Sequence, residues 1–474
     1  MTEIKKTDNI IIGAIGAFLI ISPNLNVLES ILTYCGIESH SAVRLISIGI
    51  FALIDLIMAF EFLKSRPDKR YYWILAVFNA VYILPLLLNF DKTEIAQYII
   101  FVLPVTIFAV MLSTDSEIME HFFRYLNIAV KLLFIVAIGY IILQYVGTER
   151  DYMGIVVIRN MTYGDMGYLF LTGFVVATIE FRGKRNWFSV LEIIIFSLAI
   201  FFSGTRSAIL CVAFAIVLWI VLFSISKNVT EKEKKSVLIG IIAVSITIAA
   251  GLLIVPSGSR LNIINIDTDW SDFSLKDLIF ETEEEESFDI NVIYTPTGVE
   301  RKISEIYEEE IVRRDTTKTE TEDILHEDVS SGRNEIITLI SEDDRAFAEN
   351  YRPYRHRTFL WRTAIKEFKK APITGNGPCY FKNKYDGFFP HNVLLEAMTD
   401  FGVMGLLIIL GIGIFCFAVG IIEYKNGNGY YFGLILLLFS HVPRYLLYTT
   451  LYSNPTIALT VLAFLTPTII RNRI

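Results

Sequence analysis

Cysteine is scarce in this 474-residue chain: Cys35, Cys211, Cys379 and Cys416 are its only four, and they are widely scattered. That excludes a disulfide framework. No Cys/His spacing suits zinc, and the six histidines do not group into a metal set. No glycine-rich loop runs into a Lys-Ser/Thr pair, which excludes a nucleotide site of that kind. No internal repeat is visible. No small-residue cleavage site follows the apolar run Ile10 to Ile21, so that run reads as a membrane span and not as a separate signal peptide. Charge is sparse as well, at 19% of residues, against 53% hydrophobic residues.

What the chain has in abundance is apolar runs of bilayer length, about 17 to 25 residues each. We read about twelve spans: 10–28, 42–63, 71–90, 95–113, 122–146, 166–180, 187–203, 207–226, 236–256, 391–422, 430–448 and 454–470. The expected fold is therefore an all-α polytopic membrane protein. Lys64, Arg66, Lys69 and Arg70, then Arg182, Lys184 and Arg185, then Lys227, Lys232, Lys234 and Lys235, and finally Arg471 and Arg473 all fall on one side of such a count. The positive-inside bias makes that side, with both termini, cytoplasmic.

The expected organisation is thus nine spans in 1–256, an extracytoplasmic segment in 257–390 and three spans in 391–474. The outer segment is too long for a passive connection. It has an acidic half, 267–349, with 26 Asp and Glu against 8 Lys and Arg, including Glu283 to Glu286 in a row. Part of this half has the composition of a disordered segment. An acidic run attracts divalent cations loosely, but usually is only a solvated surface. The basic half, 351–384, sets nine Lys and Arg against Glu367. Within it a helix is expected from about Arg357 to Lys370, with Phe359, Leu360, Ala364, Ile365 and Phe368 on one face. Pro372 stops that helix, and Gly375-Asn376-Gly377-Pro378 makes a turn.

Several polar residues sit where the pattern does not call for them. Arg206 lies in Ser203-Gly204-Thr205-Arg206-Ser207, a very short outer turn. It is either a guanidinium held to grip phosphate or an arginine snorkelling from a helix end. Arg444, within the eleventh span after His441, either faces a polar cavity or makes an interfacial ion pair. Asp55, deep in the second span, is a partner for an arginine or a packing polar residue. Arg44 and Arg159 either join a basic rim or are ordinary loop residues, and His356 could contact an anion, whereas His121 should be cytoplasmic. His391 opens the tenth span at the water–membrane border. An imidazole there suits proton transfer near neutral pH, with Glu396 and Asp400 available to orient it. The alternative is a histidine that caps the helix. The first outer loop offers only Glu29 and Glu38, where metal-dependent membrane transferases need paired carboxylates.

The combined pattern resembles a known family. His391-Asn392, nine residues, then Gly402-Val403-Met404-Gly405 is similar to the signature of the O-antigen ligase and polymerase superfamily, which includes protein O-oligosaccharyltransferases. Arg357, three residues, Trp361 and then Pro372 to Pro378 resemble the arginine–tryptophan helix and Pro/Gly turn that precede that histidine. Ser203 to Ser207 resembles the family's other arginine turn. The specific likeness covers about 200–215 and 351–406.

The resemblance implies a GT-C-like membrane glycosyltransferase in the bacterial cytoplasmic membrane, working on the outer side. It implies inverting, metal-independent transfer of a glycan from undecaprenyl pyrophosphate to an acceptor hydroxyl on a glycan, lipid or protein, during surface-polysaccharide synthesis. His391, Arg357 and Arg206 would be catalytic; Arg206, Arg357, Arg355, Arg444 and Asn392 would bind substrate. Membrane lipids are the surroundings; no cofactor, metal or nucleic acid is implied. The long acidic half departs from the family's usual short loop. The competing class is a flippase or other secondary transporter. It would show broken polar helices in corresponding positions of two repeated halves, and no such repeat is found.

Overall fold

A computed structural model describes residues 2–37, 39–88, 92–146, 158, 161–184, 186–226, 238–244, 247, 353–385, 389–452 and 454–471. The acidic half, Arg159 and most of the ninth expected span lie outside the described residues. The described residues are helical, with no strand among them. The chain divides into two compact units, one of Met1–Thr268 with Leu407–Ile474 and one of Asp269–Leu406.

The first unit is the membrane unit. Its helices in the first part of the chain are α1 (Thr2–Ile21), α2 (Leu25–Tyr34), α3 (His40–Ser65), α4 (Lys69–Leu88), α5 (Lys92–Gln97), α6 (Leu103–Met111), α7 (Ser116–Val146), α8 (Tyr163–Lys184), α9 (Trp187–Phe202) and α10 (Arg206–Ile225). Four of these, α3, α7, α8 and α10, or their apolar cores, count among the spans below. Among the described residues six helical stretches are long and apolar enough to cross a membrane, and seven if a bent pair counts as one. The chain is thus a polytopic membrane protein, helical in its described residues.

The bent pair corrects the first expected span, 10–28. Pro23 cannot continue a helix, and α1 and α2 meet at 92° around Ser22–Asn24. Asn24 caps α2, its side chain accepting from the Asn26 N–H at 3.2 Å. The fourth expected span, 95–113, is met by a continuous apolar helical stretch, Ile95–Met111, in which a π-helical turn, Tyr98–Val102, joins α5 to α6.

Packing in this unit is aromatic and close. Phe51, Phe108, Phe122, Phe170, Phe196 and Phe464 are fully buried. A Cβ on Gly13 would lie 2.6 Å from the His121 Cβ, so a small residue there lets α1 and α7 approach. Lys131 on α7 sits 2.5 Å from Glu180 on α8 and 2.6 Å from the fully buried Glu192 on α9. Charges removed from water need such pairing, and here it joins three helices. Asp55 makes no ion pair among the described residues.

Later in the chain come α11 (Pro353–Lys370), α12 (Tyr380–Lys384), α13 (Val393–Lys425), α14 (Tyr430–Phe439), α15 (Val442–Leu447) and α16 (Pro455–Arg471). The second unit holds α11, α12 and α13 as far as Leu406. Its small core is Leu360, Ala364, Phe381 and Tyr385, with Leu395 packed against them. Leu360 and Ala364 are on the apolar face expected for α11.

Candidate functional site

Glycine chemistry builds the second unit's site. Gly402 has φ 67° and ψ −159°, a break inside α13 where an uninterrupted span was expected. Only glycine adopts that region readily. The break lets the Val403 N–H donate to the Pro372 carbonyl at 2.8 Å. The Pro/Gly turn after α11 docks directly onto it. Asn376 N–H donates to the Thr399 carbonyl and Gly377 N–H to the Asp400 carbonyl, both at 2.9 Å. The Asn376 side-chain amide donates to the carbonyls of Glu367 and Thr399. A Cβ on Gly375 would lie 2.3 Å from the Asp400 backbone, and one on Gly402 would lie 2.3 Å from the Ile373 carbonyl oxygen. The two glycines leave room for each other's backbone.

The nine residues between Asn392 and Gly402 are therefore a short helix, Val393 to Phe401, capped at one end and broken at the other. Asn392, not His391, is the cap: its Oδ1 accepts from the N–H groups of Leu394 and Leu395 at 2.9 and 3.1 Å. The capping alternative for His391 is thereby replaced by a specific one. Asn392, expected to bind substrate, has its side-chain oxygen committed to the cap, so only its amide nitrogen could reach a ligand. Asp400 also has a structural partner, its Oδ2 accepting from the Cys379 N–H at 2.8 Å. Glu396 is buried.

His391 stands at the head of this helix with φ 53°, a left-handed conformation. Such a conformation costs a non-glycine residue about 1–3 kcal/mol and persists where neighbours impose it. Its ring packs on Phe389 with centroids 4.3 Å apart. The preceding carbonyl, of Pro390, accepts from Trp361 Nε1 on α11 at 2.8 Å. Arg355 and Arg357 lie in the first half of α11; their side chains, and that of His356, are outside the described residues.

Glu367, also on α11, is almost fully buried and anchors α12. Its carboxylate accepts from Lys370 Nζ, Lys384 Nζ, Tyr380 OH and Tyr385 OH at 2.7 to 2.8 Å. Burial pushes its pKa up, but these donors outweigh burial and hold it down at about 2. The folded value lies below the unfolded one. The stabilisation is therefore fully present above the unfolded value of 4.5 and is lost as pH falls towards 2. Glu367→Gln is expected to cost about 2 kcal/mol at neutral pH and to flatten the acid dependence. Thermal unfolding in detergent across that pH window checks this. Parallel curves for wild type and variant would contradict it.

In the membrane unit, Arg206 is the first residue of α10 and is exposed. Its turn is fixed from below, with Ser203 and Thr205 buried. Gly167 on α8 lies against both, a Cβ there meeting Thr205 at 2.6 Å. Ser207 and Tyr168 share a hydrogen bond of 2.7 Å. The Tyr168 ring in turn carries the Arg444 guanidinium, 4.2 Å from its centroid, in cation–π contact. The structure thus joins the Arg206 turn to Arg444 through Ser207 and Tyr168. Arg44 is exposed at the start of α3.

Arg444 makes no ion pair among the described residues and instead lines a pocket, which favours the cavity reading over the ion-pair one. Asn24, Asp165, Tyr168, Thr172, His441 and Thr456 supply the other polar lining, and Leu19, Val27, Leu437 and Leu459 are among the apolar walls. Asp165 holds the rim by accepting from Asn24, Asn26 and Thr162 at 2.8 to 3.0 Å. His441 is buried, with no hydrogen-bond partner at Nδ1 among the described residues. Sequence reasoning missed Tyr168, Asp165 and Asn24, and named Ser207 only as part of the Arg206 turn. The usable signals were a carboxylate beside the sixth span and an asparagine directly after a span-breaking proline. Among the described residues no group of three His, Cys, Asp or Glu side chains is placed to hold a metal ion.

No curated protein and no solved structure matches the chain. Residues 191–410 match the family described as O-antigen ligase. That stretch takes in the Arg206 turn, α11, the docked Pro/Gly turn, His391 and the Gly402 break, and stops short of Arg444. Over this stretch, a little under half of its length, the chain is similar to the O-antigen ligase family, in line with the resemblance to the O-antigen ligase and polymerase superfamily.

Proposed function

We propose that the protein is a surface-polysaccharide ligase or polymerase that moves a glycan from undecaprenyl diphosphate to an acceptor hydroxyl outside the cytoplasmic membrane. The observation that carries this reading is the backbone-strained His391, heading the short helix whose other end receives the docked Pro/Gly turn, within the matched domain. In the proposed step the acceptor oxygen attacks the sugar's anomeric carbon. The bond to the diphosphate breaks with inversion, and its electron pair leaves with the diphosphate. His391 takes the acceptor's proton. Arg206 and Arg357 stabilise the charge that grows on the leaving group, as preorganised guanidinium groups do without reorganising. The reaction needs no nucleotide, because the lipid–diphosphate bond carries the driving force. Arg355, Arg444 and the Asn392 amide are proposed to bind substrate. Twelve spans, cytoplasmic termini and an outward-facing 257–390 segment complete the proposal, motivated by the one-sided Lys/Arg pattern.

The test is transfer by purified protein from a lipid-linked oligosaccharide to an added acceptor. Arg206→Lys and Arg357→Lys keep the charge but lose the paired fork that grips phosphate. Each is expected to lose about 10- to 1,000-fold in rate while inserting normally. Full activity in both variants would remove the arginines from the mechanism. No transfer by wild type to any hydroxyl acceptor class would remove the function.

A further inference from the structure

We infer that Trp361 is a positioning residue for His391, acting through the hydrogen bond from its indole Nε1–H to the Pro390 carbonyl. This rests on the reading of His391 as the group that takes the acceptor's proton. The bond is well formed at 2.8 Å. The acceptor carbonyl belongs to the peptide whose nitrogen is that of His391. Because a peptide is planar, fixing the carbonyl fixes the plane from which the His391 backbone leaves.

The need for such a clamp is visible in the residue itself. His391 is at φ 53° and must be held there by its surroundings. Three holds are present. Asn392 locks the following residue into the helix cap. Phe389 packs on the imidazole. Trp361 fixes the preceding carbonyl from α11. The first two come from the histidine's own segment, whereas Trp361 comes from the helix that also carries Arg357.

The register adds a consequence. Arg357 and Trp361 are four residues apart on α11, so their backbone positions share one face of the helix. The face that donates to Pro390 is therefore the face on which Arg357 stands. The indole N–H ties the height of the proton-taking group to the helix that bears a charge-stabilising one. A displacement of about 1 Å in such an arrangement costs on the order of 10²-fold in rate. Donor binding, which depends on the arginines, changes little.

The test replaces Trp361 in the full-length protein with 3-benzothienylalanine, which keeps the ring shape and substitutes sulfur for N–H. Trp361→Phe is the second variant. The expected result is a kcat lower by about 10- to 100-fold, a donor KM within about twofold, and a displaced pH profile, with unchanged thermal stability in detergent. A readout independent of turnover is the rate at which diethyl pyrocarbonate modifies His391, followed by peptide mass spectrometry with His391→Ala as blank. That rate and its pH dependence should change in the benzothienyl variant. Unchanged kcat together with unchanged histidine reactivity would overturn the inference. So would a loss of kcat accompanied by lower thermal stability and ordinary histidine reactivity. Inactive wild type with Trp361-dependent reactivity of His391 would uphold the contact while removing the proposed reaction.

Discussion

His391→Ala is expected to slow single-turnover transfer by about 10² to 10⁴-fold with donor saturating, while leaving donor binding nearly intact. The reason lies in location and geometry. An imidazole changes protonation between about pH 5 and 8, and this one heads a short helix with its backbone in an imposed conformation. The alternative duty at the helix start, capping, is already carried by Asn392. The discriminating variant is His391→Gln. Glutamine keeps hydrogen-bonding capacity but cannot titrate. If His391 is the base, His391→Gln is as slow as His391→Ala and loses the dependence of rate on pH. A near-normal rate with an unchanged pH profile would leave only acceptor positioning to His391 and move the weight of catalysis to the arginines.

Hydropathy made the helical membrane architecture legible, because apolar runs of bilayer length have few other uses. It could not show where a run departs from regular α-helix. Pro23 and the 92° bend, the π turn at Tyr98–Val102 and the break at Gly402 each sit inside a continuous apolar stretch. Averaged hydropathy passes over all three, although Pro23 and Gly402 are individually visible. The roles at the helix start were harder. His391 and Asn392 are neighbours, and either can serve a helix N-terminus; only the hydrogen bonds assign the cap. Glu367 stood out as the one acid among nine bases, but its four donors come from α11, α12 and Tyr385, a convergence that no linear spacing encodes. Tyr168 was invisible for the same reason. Its significance comes from touching Ser207 and Arg444, which lie 39 and 276 positions away.

The spacing between histidine and glycine supports the second large expectation, that Gly402→Ala destabilises the second unit and abolishes most transfer. An added Cβ at Gly402 meets backbone and not a movable side chain: the Ile373 carbonyl oxygen at 2.3 Å and the Gly375 nitrogen at 2.7 Å. The φ of 67° adds conformational strain to the overlap. Strain of about 1–3 kcal/mol and overpacking of about 1–3 kcal/mol give a cost of roughly 2–6 kcal/mol, a large share of a typical domain's stability. Relief requires the Pro/Gly turn to move off α13. That would break the bonds from Val403 to Pro372 and from Gly377 to Asp400, and with them the path from α11 to the helix that His391 heads. Gly413→Ala is the matched control, in the same helix with nothing within 4 Å of the added Cβ. It should be neutral or stabilising by about 0.5–1 kcal/mol. Thermal unfolding in detergent and transfer rate, measured for both variants at equal membrane content, decide the matter. If Gly402→Ala unfolds and transfers like Gly413→Ala, the docked turn is not what holds the histidine helix in place.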